Sequence, residues 1–79
     1  SVPPSIDLLY LDGAKTLYRD VLALCEPSLA DRALVLADNI DMEELVAPYT
    51  SYVRNPENGY LSNRVAFEEG LEVSLRITA

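Results

Sequence analysis

Two short apolar runs, each broken off by an aspartate, do most to limit what this chain can fold into. Ile6, Leu8, Leu9, Tyr10 and Leu11 are interrupted only by Asp7 before Asp12 ends the run, and Ala33-Leu34-Val35-Leu36-Ala37 ends on Asp38-Asn39. Apolar runs of roughly four to eight residues without polar alternation suit parallel strands covered on both faces. Parallel strands need a crossover between them, and the intervening sequence supplies it. Leu17, Val21, Leu24 and Cys25 fall at i, i+4, i+7 and i+8, the stripe of an amphipathic helix, and Pro27 closes it. Strand, helix and strand make a right-handed βαβ unit. Ser1–Ser5, with Pro3 and Pro4, reads as a loop leading into the first strand.

The second half changes character. Asp41 followed by Glu44 has the spacing of a capping box. Pro48 argues against one unbroken helix, so the pattern predicts a short turn and then a helix from about Pro48 through Tyr52 and Val53. Asn55-Pro-Glu-Asn-Gly59 is a turn by composition. Residues then alternate from Tyr60 to Phe67 and from Leu71 to Ile77. In the last run Leu71, Val73, Leu75 and Ile77 face one way, and Glu72, Ser74 and Arg76 the other. Glu68-Glu69-Gly70 reads as the hairpin turn, with Gly70 supplying a positive φ. The expected fold is α/β, in the order β-α-β-α-β-β, with a parallel pair followed by a terminal antiparallel hairpin.

Size and charge narrow the possible functions. With 79 residues, the chain is one small domain spanning 1–79, and such a chain buries only about 60% of its unfolded surface. Its net charge of −7, with Lys15, Arg19, Arg32, Arg54, Arg64 and Arg76 scattered, argues against a nucleic-acid surface. One cysteine, Cys25, cannot form an internal disulfide. No signal-peptide pattern opens the chain and no apolar run approaches membrane-spanning length. A cytoplasmic setting without membrane contact is expected.

Candidate chemistry lies where the two apolar runs stop, because ligands in open α/β sheets bind beyond the carboxyl ends of the strands. If the strands are neighbours, Asp12, Asp38 and Asn39 converge. Two carboxylates and an amide oxygen make a hard site that suits Mg²⁺. With no histidine and only one cysteine, a typical structural zinc site is excluded. Each residue also has a simpler role. An aspartate after a strand caps the next helix or closes a turn, and Asp38-Asn39 is equally turn chemistry. Lys15 is either a solvated lysine or, beside a dication, an amine that loses its proton readily enough to act as a base.

The same residues resemble a known family. Ile6-Asp-Leu-Leu-Tyr-Leu-Asp-Gly-Ala-Lys15 is similar to the Asp-x-x-Lys motif of S-adenosylmethionine-dependent O-methyltransferases of the catechol and caffeoyl-CoA type. Leu34-Val-Leu-Ala-Asp-Asn39 resembles their second motif, and Tyr52–Tyr60 with Glu69–Arg76 resembles the closing segment of bacterial members. The resemblance covers nearly the whole chain, in order. It implies the C-terminal half of a Rossmann-like methyltransferase sheet, with the N-terminal cofactor-binding half absent and the chain inactive alone. It further implies Asp12, Asp38 and Asn39 as Mg²⁺ ligands, with Asp12 also beside the methionine end of S-adenosylmethionine. Lys15 is then the catalytic base, and Lys15 and Asn39 touch a small phenolic, catechol-like substrate.

Some family features are missing. Gly13, Gly59 and Gly70 form no glycine-rich cofactor loop, and Gly13-Ala14 is smaller than the pair that often meets adenine. The acid that helps hold catechol in animal enzymes corresponds to Asn63. The first strand is apolar enough to want partners on both sides, yet the chain offers one, so copies are expected to pair through this edge as a homo-oligomer or fold poorly. Two other classes stay open: a non-catalytic half-Rossmann binding or assembly module, and a phosphoryl-transfer domain. The lack of a phosphate-cradling loop weighs against the latter.

Overall fold

A computed structural model describes residues 5–78; of the leading loop, residues 1–4, with Pro3 and Pro4, lie outside them. Strand β1 spans Ile6–Leu11, helix α1 Tyr18–Cys25, strand β2 Leu29–Asp38, helix α2 Glu43–Arg54, strand β3 Tyr60–Val65 and strand β4 Leu71–Arg76. The expected α/β order is present. The four strands form one sheet in the order β1-β2-β4-β3, with β1 parallel to β2 and both pairs involving β4 antiparallel.

This order determines where the helices go. The chain steps from β1 to β2 and then from β2 past β4 to β3, both times in the same direction along the sheet. Crossovers of one handedness then place both helices on the same face. The core confirms it: Tyr18 and Leu22 from α1 and Val46, Tyr49 and Val53 from α2 are buried with Leu11, Ala33, Val35, Ala37 and Tyr60. Tyr18 and Tyr49 meet edge to face at 5.8 Å where the helices touch. Register lines the covered face with two rows across the sheet, Leu9–Val35–Ser74–Ser62 and Leu11–Ala37–Glu72–Arg64.

The opposite face carries no helix among the described residues. Register sets Leu8, Leu34, Leu75 and Leu61 in one row across all four strands, and Tyr10, Leu36, Val73 and Asn63 in the next. Leu8 is 59% exposed and Leu61 60%. Strand β1 is also an edge, paired only with β2. A hydrophobic edge strand bordering an uncovered apolar face is an association surface.

Three local expectations need correction. The buried stripe of α1 is set by Tyr18 and Leu22, with Val21 and Cys25 half-buried, whereas Leu17 and Leu24 point to solvent. Rotating the stripe by one position puts the large Tyr18 ring against α2, which outweighs burying two leucines. Helix α2 begins five residues before Pro48 and runs through it. Pro48 removes only the bond to the Glu44 carbonyl, and both residues are exposed, so the lost bond falls on the solvent side of the helix while Val46, Tyr49, Thr50 and Val53 anchor the buried face. Asp41 makes no capping box: Met42 occupies the cap position without a side-chain bond, and the Asp41 carboxylate is drawn to Arg64.

Strand β4 turns its polar side chains toward the helices. Glu72 and Ser74 are fully buried, while Leu71, Val73 and Leu75 lie half-buried on the uncovered face. Burying a carboxylate is tolerable only with full hydrogen bonding. Arg54 at the end of α2 forks onto Glu72 through Nε at 3.1 Å and Nη2 at 2.7 Å, and the Ser62 hydroxyl donates to it at 2.7 Å. At the far end of the sheet, the Glu26 carboxylate accepts from the Tyr52 and Tyr60 phenols at 3.0 and 2.6 Å. Arg54→Ala leaves Glu72 buried without its cation, at an expected cost of about 3 kcal/mol. Glu72→Gln, which keeps an acceptor for Ser62, is expected to cost less; urea unfolding curves of the two variants measure the difference.

Candidate functional site

Parallel pairing brings the two predicted tips together. The last registered pair is Leu11 with Ala37, so Asp12 and Asp38 leave adjacent strands at the same end of the sheet. Because β4 runs antiparallel to β2, the β3–β4 hairpin turn at 66–70 reaches this end too, on the opposite flank of β2 from Asp12. The site is therefore assembled from three chain reversals: the turn after β1, the loop after β2 and the hairpin.

Asp38 is the most connected residue. Its Oδ1 accepts the Asn39 backbone N–H at 2.8 Å, its Oδ2 accepts the Tyr10 hydroxyl at 3.1 Å, and its carbonyl accepts the buried Tyr18 hydroxyl at 2.9 Å. The hydrogen bond to Asp38 pushes the Tyr10 phenol above its ordinary pKa, and the charges of Asp12 and Asp38 add to this. Burial does most to raise Tyr18, with Lys15 opposing and Asp12 and Asp38 assisting. Both carboxylates therefore act on the same two phenols. A single carboxylate offers about four lone-pair sites, so Asp38 keeps acceptor capacity after these bonds.

Asn39 takes a left-handed backbone, φ 57°, a conformation asparagine tolerates better than most residues. Its amide Nδ2 donates to Glu69 Oε2 at 3.2 Å. The loop behind it is tied to the hairpin: Ile40 N–H donates to the Gly70 carbonyl at 3.2 Å and Asp41 N–H to the Glu69 carbonyl at 3.0 Å. Arg64 forks onto Asp41 at 2.7 and 2.8 Å. Gly70 is required here by its φ of 90°, and a Cβ at this position would also displace the Asp41 carboxylate. Neither Glu69 nor the Tyr10–Asp38 bond was foreseen. The sequence signal for Glu69 is that a hairpin antiparallel to β2 must turn near its tip; that for the Tyr10–Asp38 bond is the parallel pairing of β1 with β2.

Lys15 opens a short 3₁₀ turn at Lys15–Leu17, one turn beyond Asp12. Its Nζ donates to the Gly13 carbonyl at 2.9 Å and lies 5.6 Å from the Tyr18 ring centre. The amine thus sits at the same end of the sheet, folded back on its own turn.

The donor chemistry suits a hard dication, since Asp12, Asp38 and Asn39 offer carboxylate and amide oxygens. Among the described residues, no three acidic, cysteine or histidine side chains are grouped closely enough to hold a metal. A cavity of about 310 Å³, lined by residues including Asp41, Thr50, Arg54 and Arg64, lies behind the loop and includes none of the predicted ligands. Asp12 is exposed, and Asp38 and Asn39 are half-buried.

This sheet order and its helices recur in solved methyltransferases. The fold is that of part of a methyltransferase domain. A protein from Staphylococcus aureus assigned as a caffeoyl-CoA O-methyltransferase superposes with a TM-score of 0.74 and 20% identity over 92% of this chain and 43% of its own. A protein assigned as an O-methyltransferase from Klebsiella pneumoniae gives 0.81 and 12% over 99% and 43%, and a methyltransferase from Geobacter sulfurreducens 0.75 and 24% over 95% and 37%. The chain spans about two-fifths of the length of these structures. No protein-family model and no curated protein sequence matches it. Among the described residues, no helix is long and apolar enough to cross a membrane.

The fork from Arg64 holds the Asp41 carboxyl below its usual range. Its folded pKa is depressed, so the anchoring is complete above the ordinary carboxylate range and is lost as pH falls through the lower folded value. Carboxyl-carbon NMR titration is expected to show Asp41 titrating low in the native chain and returning to the ordinary value in Arg64→Ala.

Proposed function

We propose that this chain is the acceptor-binding part of an S-adenosylmethionine-dependent O-methyltransferase acting with Mg²⁺ on a small phenolic, catechol-like substrate. The observation that carries the reading is the convergence of Asp12 and Asp38-Asn39 at the ends of adjacent parallel strands, with Lys15 one turn away. The likeness to methyltransferase structures supports it at the level of fold.

In this reading Asp12, Asp38 and Asn39 hold the metal by their oxygens, and Asn39 also meets the substrate. When bound, the metal supplies positive charge that favours the phenolate, and S-adenosylmethionine supplies the methyl group. Beside that charge the Lys15 ammonium would first release a proton to water, and the neutral Nζ, freed from the Gly13 carbonyl, would then take the phenolic proton. Tyr10 holds one Asp38 oxygen and Tyr18 the Asp38 carbonyl, which limits rotation of the ligand. Asp12 additionally faces the methionine end of the cofactor. The remaining cofactor contacts belong to a complementary part of the domain, which packs against the β1 edge and the uncovered Leu8–Leu34–Leu75–Leu61 face; the chain alone is inactive.

Titration with Mn²⁺, followed by its EPR signal, tests the site directly. One ion is expected per chain, lost in Asp38→Ala and Asp12→Ala. A second reading, a non-catalytic half-Rossmann module, is favoured by the open surface at the strand tips and, among the described residues, by the lack of any metal-binding cluster of three acidic, cysteine or histidine side chains. No Mn²⁺ uptake, with Asp38→Ala indistinguishable from the native chain, would establish that reading instead. The uncovered surface makes its own prediction: without its complement the chain associates through it. Sedimentation velocity is expected to show concentration-dependent dimers or larger species that Leu34→Lys disperses, whereas a monomer at all concentrations would remove the case for a missing layer.

A further inference from the structure

The contact between Asn39 and Glu69 assigns a role to the hairpin turn. The backbone of Asn39 is fixed from both sides: its N–H is bound by Asp38, and the next two residues donate to Gly70 and Glu69. What remains free is rotation of the amide, whose oxygen and nitrogen are nearly the same size. Glu69 removes that freedom chemically. An ionised carboxylate accepts hydrogen bonds and donates none, so only the amide nitrogen can face Glu69 Oε2, 3.2 Å away. The amide oxygen is then turned off the hairpin. β1 and β4 flank β2 on opposite sides, so Asp12 leaves the sheet on the other flank of β2 from the hairpin.

We propose that Glu69 is a positioning residue that presents the Asn39 oxygen, not its nitrogen, to the strand tips and so makes Asp12, Asp38 and Asn39 an all-acceptor site. A site built this way favours a dication or hydroxyl donors and repels ligands that bring acceptors. The role in metal binding rests on the reading given above; the amide orientation does not. Glu69 is exposed on a turn whose anchoring runs through backbone atoms and the Asp41–Arg64 fork, so its side chain is dispensable for the fold.

The test compares the native chain with Glu69→Ala and Glu69→Gln, with circular dichroism confirming equal folding. In ¹H–¹⁵N spectra the Asn39 side-chain NH₂ pair is expected to shift and exchange faster with solvent in Glu69→Ala. Mn²⁺ affinity is expected to fall about tenfold, the usual scale for removing a group that orients a ligand. Glu69→Gln, which can present either its oxygen or its nitrogen, should lose less. Native Mn²⁺ affinity in Glu69→Ala, with Asn39 resonances unmoved, would overturn the proposal while leaving Asp12 and Asp38 as ligands. If the native chain takes up no Mn²⁺, the metal reading of the site falls, and the Asn39 resonances decide the role of Glu69: changed in Glu69→Ala they uphold it, unchanged they refute it.

Discussion

Parallel pairing of β1 with β2 is the constraint on which the rest hangs. Only a parallel pair puts Asp12 and Asp38 at one end of the sheet, and only a crossover of a dozen or so residues can connect such a pair. That crossover becomes α1, and its handedness decides the face it covers. The second crossover steps in the same direction, so α2 joins α1 on that face and the two share one core. The uncovered leucine row follows from the same step direction. It is the geometric complement of a sheet built outward from β1 in one direction only.

The polar content of the covered face has a related origin. α2 has to span β2 to β3 over the top of β4, and its last turn brings Arg54 above the middle of the sheet. A guanidinium there calls for a carboxylate beneath it, and Glu72 answers from β4 with Ser62 and Ser74 closing the network. Replacing such a pair by apolar residues is often neutral in stability, but a directional fork fixes one register of helix against sheet in a way that leucines do not. That matters in a chain whose core is small and whose other sheet face is open.

The strands and their order of type were legible because two periodicities, continuous and alternating, are hard to confuse at this length, and Gly70 marks the hairpin. Helix details were less legible. In α1 the leucines suggested a stripe that Tyr18 and Leu22 actually occupy, because the deciding contact is with Tyr49, 31 residues away and invisible to local pattern. Pro48 misled for a similar reason, since exposure of the Glu44 carbonyl is a tertiary property. For the candidate site, residues at the strand ends could be named from the sequence. Their partners could not: Tyr10 with Asp38 and Asn39 with Glu69 lie 28 and 30 residues apart, and depend on β2 lying between β1 and β4.

The candidate site and the uncovered face are parts of one surface. Tyr10 shares its row with Leu36 and Val73, and Asp38 lies opposite Leu71, so the phenol-to-carboxylate bond sits at the margin of the apolar rows. Any layer that covered Leu8, Leu34 and Leu36 would reach this margin and lower the dielectric around Asp38. Charge interactions that are weak in water would then strengthen several-fold. The openness of the strand tips and the openness of the sheet therefore have one remedy. On the proposed reading, chemistry at Asp12, Asp38 and Lys15 gains from the exclusion of water, and a layer over the leucine row is what would exclude it.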